Sequence, residues 1–268
     1  MTRQSNRAFP TEFVYQLFAL LISFIVVHAV YVALIRPGAA AFLARQAAIM
    51  QTNPDYVAAQ SLFVVLKDYE QESCFVLMLW ALAILAYKGV SVYRQQRQLD
   101  DDLIAHDGTV LLPEDTPKAI SRLSGIDPRQ RRYLLVRALL AALERFVVTR
   151  QVQDAANTVT NVCETEAERM ESELSIIRYI AWAIPSIGFI GTVRGIGDAL
   201  GQAHRAVEGD ITGVTESLGT AFNSTFVALV ISIVLMFIIH QVQLMQERLV
   251  LDTGTYCDDR LVRYLRSD

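Results

Sequence analysis

Four long apolar runs punctuate the chain, at residues 13–35, 73–93, 178–203 and 214–240. At ~1.5 Å of rise per helical residue, each is long enough to cross a hydrocarbon layer ~30 Å thick. The run from Phe13 to Ile35 carries no Asp, Glu, Lys or Arg and is too long for a cleaved leader, so it reads as a first span. Its one histidine, His28, is expected to pack or to bond a neighbour rather than to relay protons. The second run is uncharged until Lys88, whose stem is expected to carry the ammonium to the headgroups, and Trp80 within it is lipid-facing or packed. The third and fourth runs form a hairpin about a short polar turn from His204 to Gly213.

Between the spans the periodicity changes. The segment after Arg36 contains AAAFLARQAAIM, a helical composition that breaks at Asn53-Pro54. Residues 95–127 carry Asp100-Asp101-Asp102, His106, Gly108, Pro113 and Pro117, which predicts a connector with one short helix at most. Asp127-Pro128 then has the form of a helix start. Leu134, Leu135, Ala138, Leu139, Ala142, Leu143 and Phe146 keep one apolar stripe. A second stripe, through Val152, Ala156, Val159, Cys163, Ala167, Met170, Leu174 and Ile177, runs into the third span and predicts a helix of about 50 residues. Such a stripe suits a coiled contact with neighbouring helices.

The fold class expected is therefore an all-α membrane protein with four transmembrane helices and long cytoplasmic helical extensions. Its parts are a two-helix membrane hairpin with an outer segment (1–93), a cytoplasmic helical domain (94–177), a second membrane hairpin (178–240) and a cytoplasmic tail helix (241–268).

Composition agrees, since 53% hydrophobic residues and a mean hydropathy of +0.31 exceed what soluble domains show. Arginine and lysine collect before residue 8 and between residues 94 and 177, whereas the turn at 204–213 has only Arg205. By the positive-inside rule both termini and the long loop face the cytoplasm. A net charge of −4, with no basic stripe interleaved with aromatics, gives no nucleic-acid surface. Cys74, Cys163 and Cys257 are far apart and read as free thiols, without the spacing of a metal site. Glu164, Glu166, Glu168, Glu171 and Glu173 read as a solvated helix face. With no nucleophile triad, phosphate loop or ligand cluster, the sequence points to no catalytic residue, no metal and no cofactor, and so not to an enzyme.

What remains is the 185–240 hairpin. Thr192 and Thr225 lie equally far from the turn's centre, between Glu208 and Gly209, so their hydroxyls share one depth, ~25 Å from that centre. A threonine in lipid commonly bonds back to its own helix or to a packed neighbour. Two at one depth, with Asn223 and Ser224 beside the second, equally suit a polar path. Pro185, Gly188, Gly191 and Gly195 mark a small-residue face for close helix approach, extended by Ser186, Gly197 and Gly201. That face serves a tight pair within one chain as readily as an oligomer. Arg194 costs ~2.5–3.5 kcal/mol in a span and needs a partner. Asp198 and Glu216 are the carboxylates in reach, as an outer charge gate or as a salt bridge near the interface.

The run PSIGFIGTVRGI followed by LGTAFNSTFVAL resembles the signature of the MotA/TolQ/ExbB proton-channel family, the larger subunit of ion-driven membrane motors, over roughly Pro185 to His240. The chain departs from that pattern in three ways: Arg194 stands in place of an apolar residue, Ala228 in place of a glycine, and no proline follows Thr225. The resemblance implies that Thr192 and Thr225 face a partner whose single membrane helix bears an ion-carrying aspartate. It implies a homopentamer in a bacterial inner membrane around two copies of a single-span MotB/TolR/ExbD-like subunit. Four spans with one large loop look more like the flagellar stator branch than the three-span branch. The transported ion so implied is H+, although a hydroxyl-lined path also serves Na+. No acidic residue lies mid-span, so the carrier carboxylate must come from the partner. The process driven, whether flagellar rotation, gliding, outer-membrane transport or defence, stays open. The rival reading is a non-conducting helical scaffold or sensor.

Overall fold

A computed structural model describes residues 11–52, 61–104 and 110–267. The expected break at Asn53-Pro54 and the connector residues His106 and Gly108 lie outside them. The described chain is helical: α1 (Thr11–Val30), a π turn (Tyr31–Ile35), α2 (Arg36–Thr52), α3 (Leu62–Leu66), α4 (Tyr69–Gln98), α5 (Thr116–Ser124), α6 (Leu134–Thr149), α7 (Val152–Gly201), α8 (Ala203–Val207) and α9 (Thr212–Arg260). Among the described residues, the one extended pairing is an isolated bridge between Leu111 and Leu265. Four stretches are long and apolar enough to cross a membrane: Phe13–Thr52, Tyr69–Gln98, Val152–Gly201 and Thr212–Tyr264. The protein is a multi-pass, all-α membrane protein.

The chain folds as two compact units, residues 1–85 with 176–238 and residues 86–175 with 239–268. The second is built as a water-exposed domain is built. On α6, Leu135, Ala138, Leu139, Ala142, Leu143 and Phe146 are buried against Ala155, Val159 and Cys163 of α7 and Cys257, Leu261 and Leu265 of the C-terminal segment. α7 is 50 residues long, the helix its apolar stripe predicts.

Several expectations need correction here. α6 begins at Leu134 and not at Asp127-Pro128, because Asp127 caps only a single 3-10 turn, accepting from Arg129 N at 2.7 Å, and Tyr133 is extended (ψ 148°). Gln95 then accepts from Leu134 N at 3.0 Å. α6 ends at Arg150, the one non-glycine residue with positive φ (53°) among those described, whose N–H donates to Phe146 O at 2.8 Å. Lys88 does not snorkel: it is buried and holds Glu173 at 2.8 Å. Nor are all five glutamates solvated, since Glu166 is buried on Arg137 at 2.7 Å. A charge between packed helices survives when its partner sits on the next one.

In the other unit α1 is tied to α4 at carbonyl level. Tyr15 donates to Ala83 O at 3.0 Å and Trp80 Nε1 to Gln16 O at 2.9 Å, while Val27, Tyr31 and Val76 pack between them. α7 and α9 pack along the glycine face and leave Trp182, Phe189, Phe222, Phe226 and Phe237 exposed. Gly209, at φ +96°, turns the chain between them. Asp210 accepts from Thr212 N at 3.1 Å at the start of α9, and the Thr212 hydroxyl first, with this N–H second, holds its carboxyl below the usual carboxylate range.

Candidate functional site: the threonine pair and its charged rim

The glycines bring α7 and α9 together. A Cβ at Gly188 would stand 2.5 Å from the Ala228 methyl, one at Gly191 would stand 2.5 Å from Ser224 Oγ, and one at Gly195 would stand 2.7 Å from Ser217 O. Real Cβ atoms do not approach so closely, so each glycine is required by the helix spacing itself. Ala228 supplies the methyl that Gly188 lacks. Gly197 and Gly201, by contrast, face open space and take no part in this contact. Pro185 lies inside α7 and lines an open apolar groove of about 680 Å³ with Trp182, Phe189, Ile190 and Met236.

At this spacing the two threonine hydroxyls meet. Thr192 Oγ1 and Thr225 Oγ1 are hydrogen-bonded to each other across the helix pair. Thr225 also reaches Gly188 O at 2.9 Å, and Thr192 reaches Ala221 O at 3.0 Å and its own Gly188 O at 3.3 Å. Each hydroxyl has one proton to give. Two arrangements therefore satisfy the pair: Thr192 donates to Thr225, which donates to Gly188 O, or Thr225 donates to Thr192, which donates to Ala221 O. Both end on a carbonyl, Gly188 O in the first and Ala221 O in the second, and the bond between the two hydroxyls is reversed from one to the other. Ser224 is buried on the same contact, donating to Ala221 O at 2.8 Å. Its hydroxyl is thus held inside the helix pair, whereas Asn223, Thr192 and Thr225 are half-buried.

A charged rim adjoins the pair. Arg194 makes a two-point contact to Glu70 of α4, with Nε to Oε1 at 2.7 Å and Nη2 to Oε2 at 2.8 Å. Asp198 is a looser second partner at 3.9 Å. Glu216 is not with Arg194 at all; it pairs with Lys67 at 3.1 Å. Glu70 also lies over the glycine face, its Cγ 3.1 Å from where a Gly191 Cβ would be. Asp68 completes the rim, with Oδ2 buried and unpartnered among the described residues, and burial pushes its carboxyl up from the usual range. Sequence reasoning missed Glu70. The signal was there: a span beginning with a carboxylate, beside one that places an arginine near the same end.

Comparison with known proteins agrees with the part of the chain that carries this site. Residues 131–253 match the model of the MotA/TolQ/ExbB proton channel family, a segment that includes α6, α7, the turn and most of α9. No curated protein and no solved structure matches the chain.

Proposed function

With a MotA/TolQ/ExbB proton channel family domain over residues 131–253 as the premise, we propose that this chain is the channel-forming subunit of a proton-driven inner-membrane motor. In this reading it forms a homopentamer of the four-span, stator-like branch, with both termini in the cytoplasm. The pentamer encloses two copies of a single-span MotB/TolR/ExbD-like partner. The partner's aspartate carries the ion, H+ before Na+, and Thr192 and Thr225 border its path, with Ser224 and Asn223 adding polar contacts. A membrane potential supplies ~2.3 kcal/mol per elementary charge per 100 mV, which the complex converts into rotation or strain of the partner.

The observation that carries this reading is the hydroxyl pair itself, half-buried within the segment the family match covers and free to reverse its hydrogen bonds. A carboxylic acid arriving beside it can exchange a bond with either hydroxyl at little cost, because each hydroxyl both donates and accepts. Arg194 and Glu70 then stand as a fixed charge pair at the rim of that path.

One observation favours the scaffold reading instead: both hydroxyls are already satisfied within a single chain, as structural threonines are. Native mass spectrometry of the chain co-expressed with its genomic neighbour separates the two. Five copies with two of a small single-span chain are expected. A monomer or dimer without such a chain would turn the assignment to the scaffold.

A further inference from the structure

A groove of about 270 Å³ opens between α7 and α9 within the second unit. Glu168 and Glu171 of α7 and Glu247 of α9 border it, with the buried Met170 between them. Gln243 donates to Glu247 Oε1 at 3.0 Å and so engages one oxygen of that carboxylate. Gln246 is only 5% exposed, yet its amide lines the groove without a hydrogen-bond partner among the described residues. An amide buried in that state forfeits a hydrogen bond, which a polar ligand in the groove would restore. The carboxylates around it select a cationic ligand. Among the described residues, no three acidic, histidine or cysteine side chains converge as a metal ion requires. A basic side chain is what remains.

The same unit carries the complement. The 3-10 turn before α6 presents Arg129, Arg131 and Arg132, all exposed and none of their side chains paired among the described residues. Other arginines nearby are taken: Arg137 by Glu166 at 2.7 Å and Arg169 by Glu173 at 3.0 Å. Arg145 meets Asp154 at 3.8 Å as Arg137 meets Glu166, so α6 and α7 run antiparallel. Stepping back from Arg137 to the basic turn is therefore stepping forward from Glu166, to the height of Glu168 and Glu171.

Turn and groove stand level but on opposite sides of α7. Glu166 faces α6, and at ~100° per helical residue Glu168 lies ~200° and Glu171 ~140° around α7 from it. The arginines of one copy are thus turned away from that copy's own groove. A two-fold contact through this groove would set carboxylates against carboxylates, whereas a head-to-tail contact sets the turn of one copy against the groove of the next.

We propose that the groove bordered by Glu168, Glu171 and Glu247 binds a guanidinium from the Arg129–Arg132 turn of a neighbouring copy and clamps adjacent subunits head to tail outside the membrane. One guanidinium has five N–H donors in a planar fork, enough to reach two carboxylates and the Gln246 oxygen together. The proposal rests on the reading of this chain as an oligomeric motor subunit and names a contact that holds the oligomer.

Gln130 in the turn and Ala167 in the groove are exposed and uncharged, so cysteines placed there leave every charge of the contact intact. The full-length chain carrying Gln130→Cys with Ala167→Cys, treated in its membranes with a short bismaleimide, should give a covalent ladder from dimer upward on denaturing electrophoresis. Either substitution alone should stay monomeric, as should the parent, whose three cysteines are buried. Adding Glu168→Arg and Glu247→Arg should lower the ladder at least tenfold, and adding Arg129→Glu, Arg131→Glu and Arg132→Glu to that same chain should restore it. An oligomer by native mass spectrometry without a ladder would overturn the proposal, give the groove to another basic ligand and leave the motor reading standing. Dimers of Ala167→Cys alone would overturn it as well, since they require a two-fold contact. A monomer by native mass spectrometry would remove the motor reading and this contact with it.

Discussion

The two parts of α7 obey opposite packing rules. Between Ala155 and Leu174 the helix buries Val159, Cys163, Met170 and Leu174, and its charges lie outward or in pairs. Between Gly188 and Gly195 it buries the glycines and exposes Phe189, Ile190 and Val193. In the first stretch, contact comes from large side chains driven out of water. In the second, apolar surface gains nothing by hiding, so backbones approach and hydroxyls meet. The comparison teaches that polar chemistry here depends on missing side chains: the threonines touch only because three glycines let the helices close.

That comparison can be broken at its closest point. Gly191→Leu forces α7 and α9 apart at Ser224, and the expected outcome is loss of any monodisperse folded species by size-exclusion chromatography in detergent. Gly197→Leu, where an added Cβ meets nothing within 4 Å, should elute as the parent does. Equal behaviour of the two variants would mean that the glycine face is not what sets the spacing.

Phe146→Ala tests the other rule. It empties a fully buried position of the α6 core and should cost about 3–5 kcal/mol. Hydrogen exchange should speed up across residues 135–163 and leave residues 188–228 as they were. A smaller effect is expected from Arg194→Gln. Arg194 is 44% exposed, so breaking its contact to Glu70 should cost under about 2 kcal/mol and leave the proposed oligomer assembled by native mass spectrometry. A changed conductance with intact assembly would make the pair a gate, and loss of the oligomer would make it purely structural.

Much of this architecture was legible in the chain. Spans follow from apolar length, and the 50-residue α7 from a stripe that never breaks step. Helix starts were less legible: Asp127-Pro128 has every local mark of one, but Tyr133 adopts an extended conformation and delays it. The threonine pair was visible as matched depth, and its bonds to Gly188 O and Ala221 O were not, because a carbonyl has no letter in a sequence. Charge partners were the least legible. Lys88, Glu166 and Arg194 each found a partner on another helix, and Glu216 found one in Lys67 between α3 and α4; sequence distance between Lys67 and Glu216 or Glu70 and Arg194 gives no sign of it. The π turn that brings His28 and Arg36 together onto Glu72 is likewise a one-residue departure from α geometry that no periodicity announces.

The most direct test of the account is proton flux through this chain reconstituted with the small single-span partner proposed for it, in liposomes carrying an internal pH-sensitive dye. With assembly verified, Thr225→Val should lower flux at least tenfold, because one hydroxyl of the reversible pair is gone while the volume is kept. Flux equal to that of the unsubstituted complex would contradict the central claim and remove the threonine pair from the ion path.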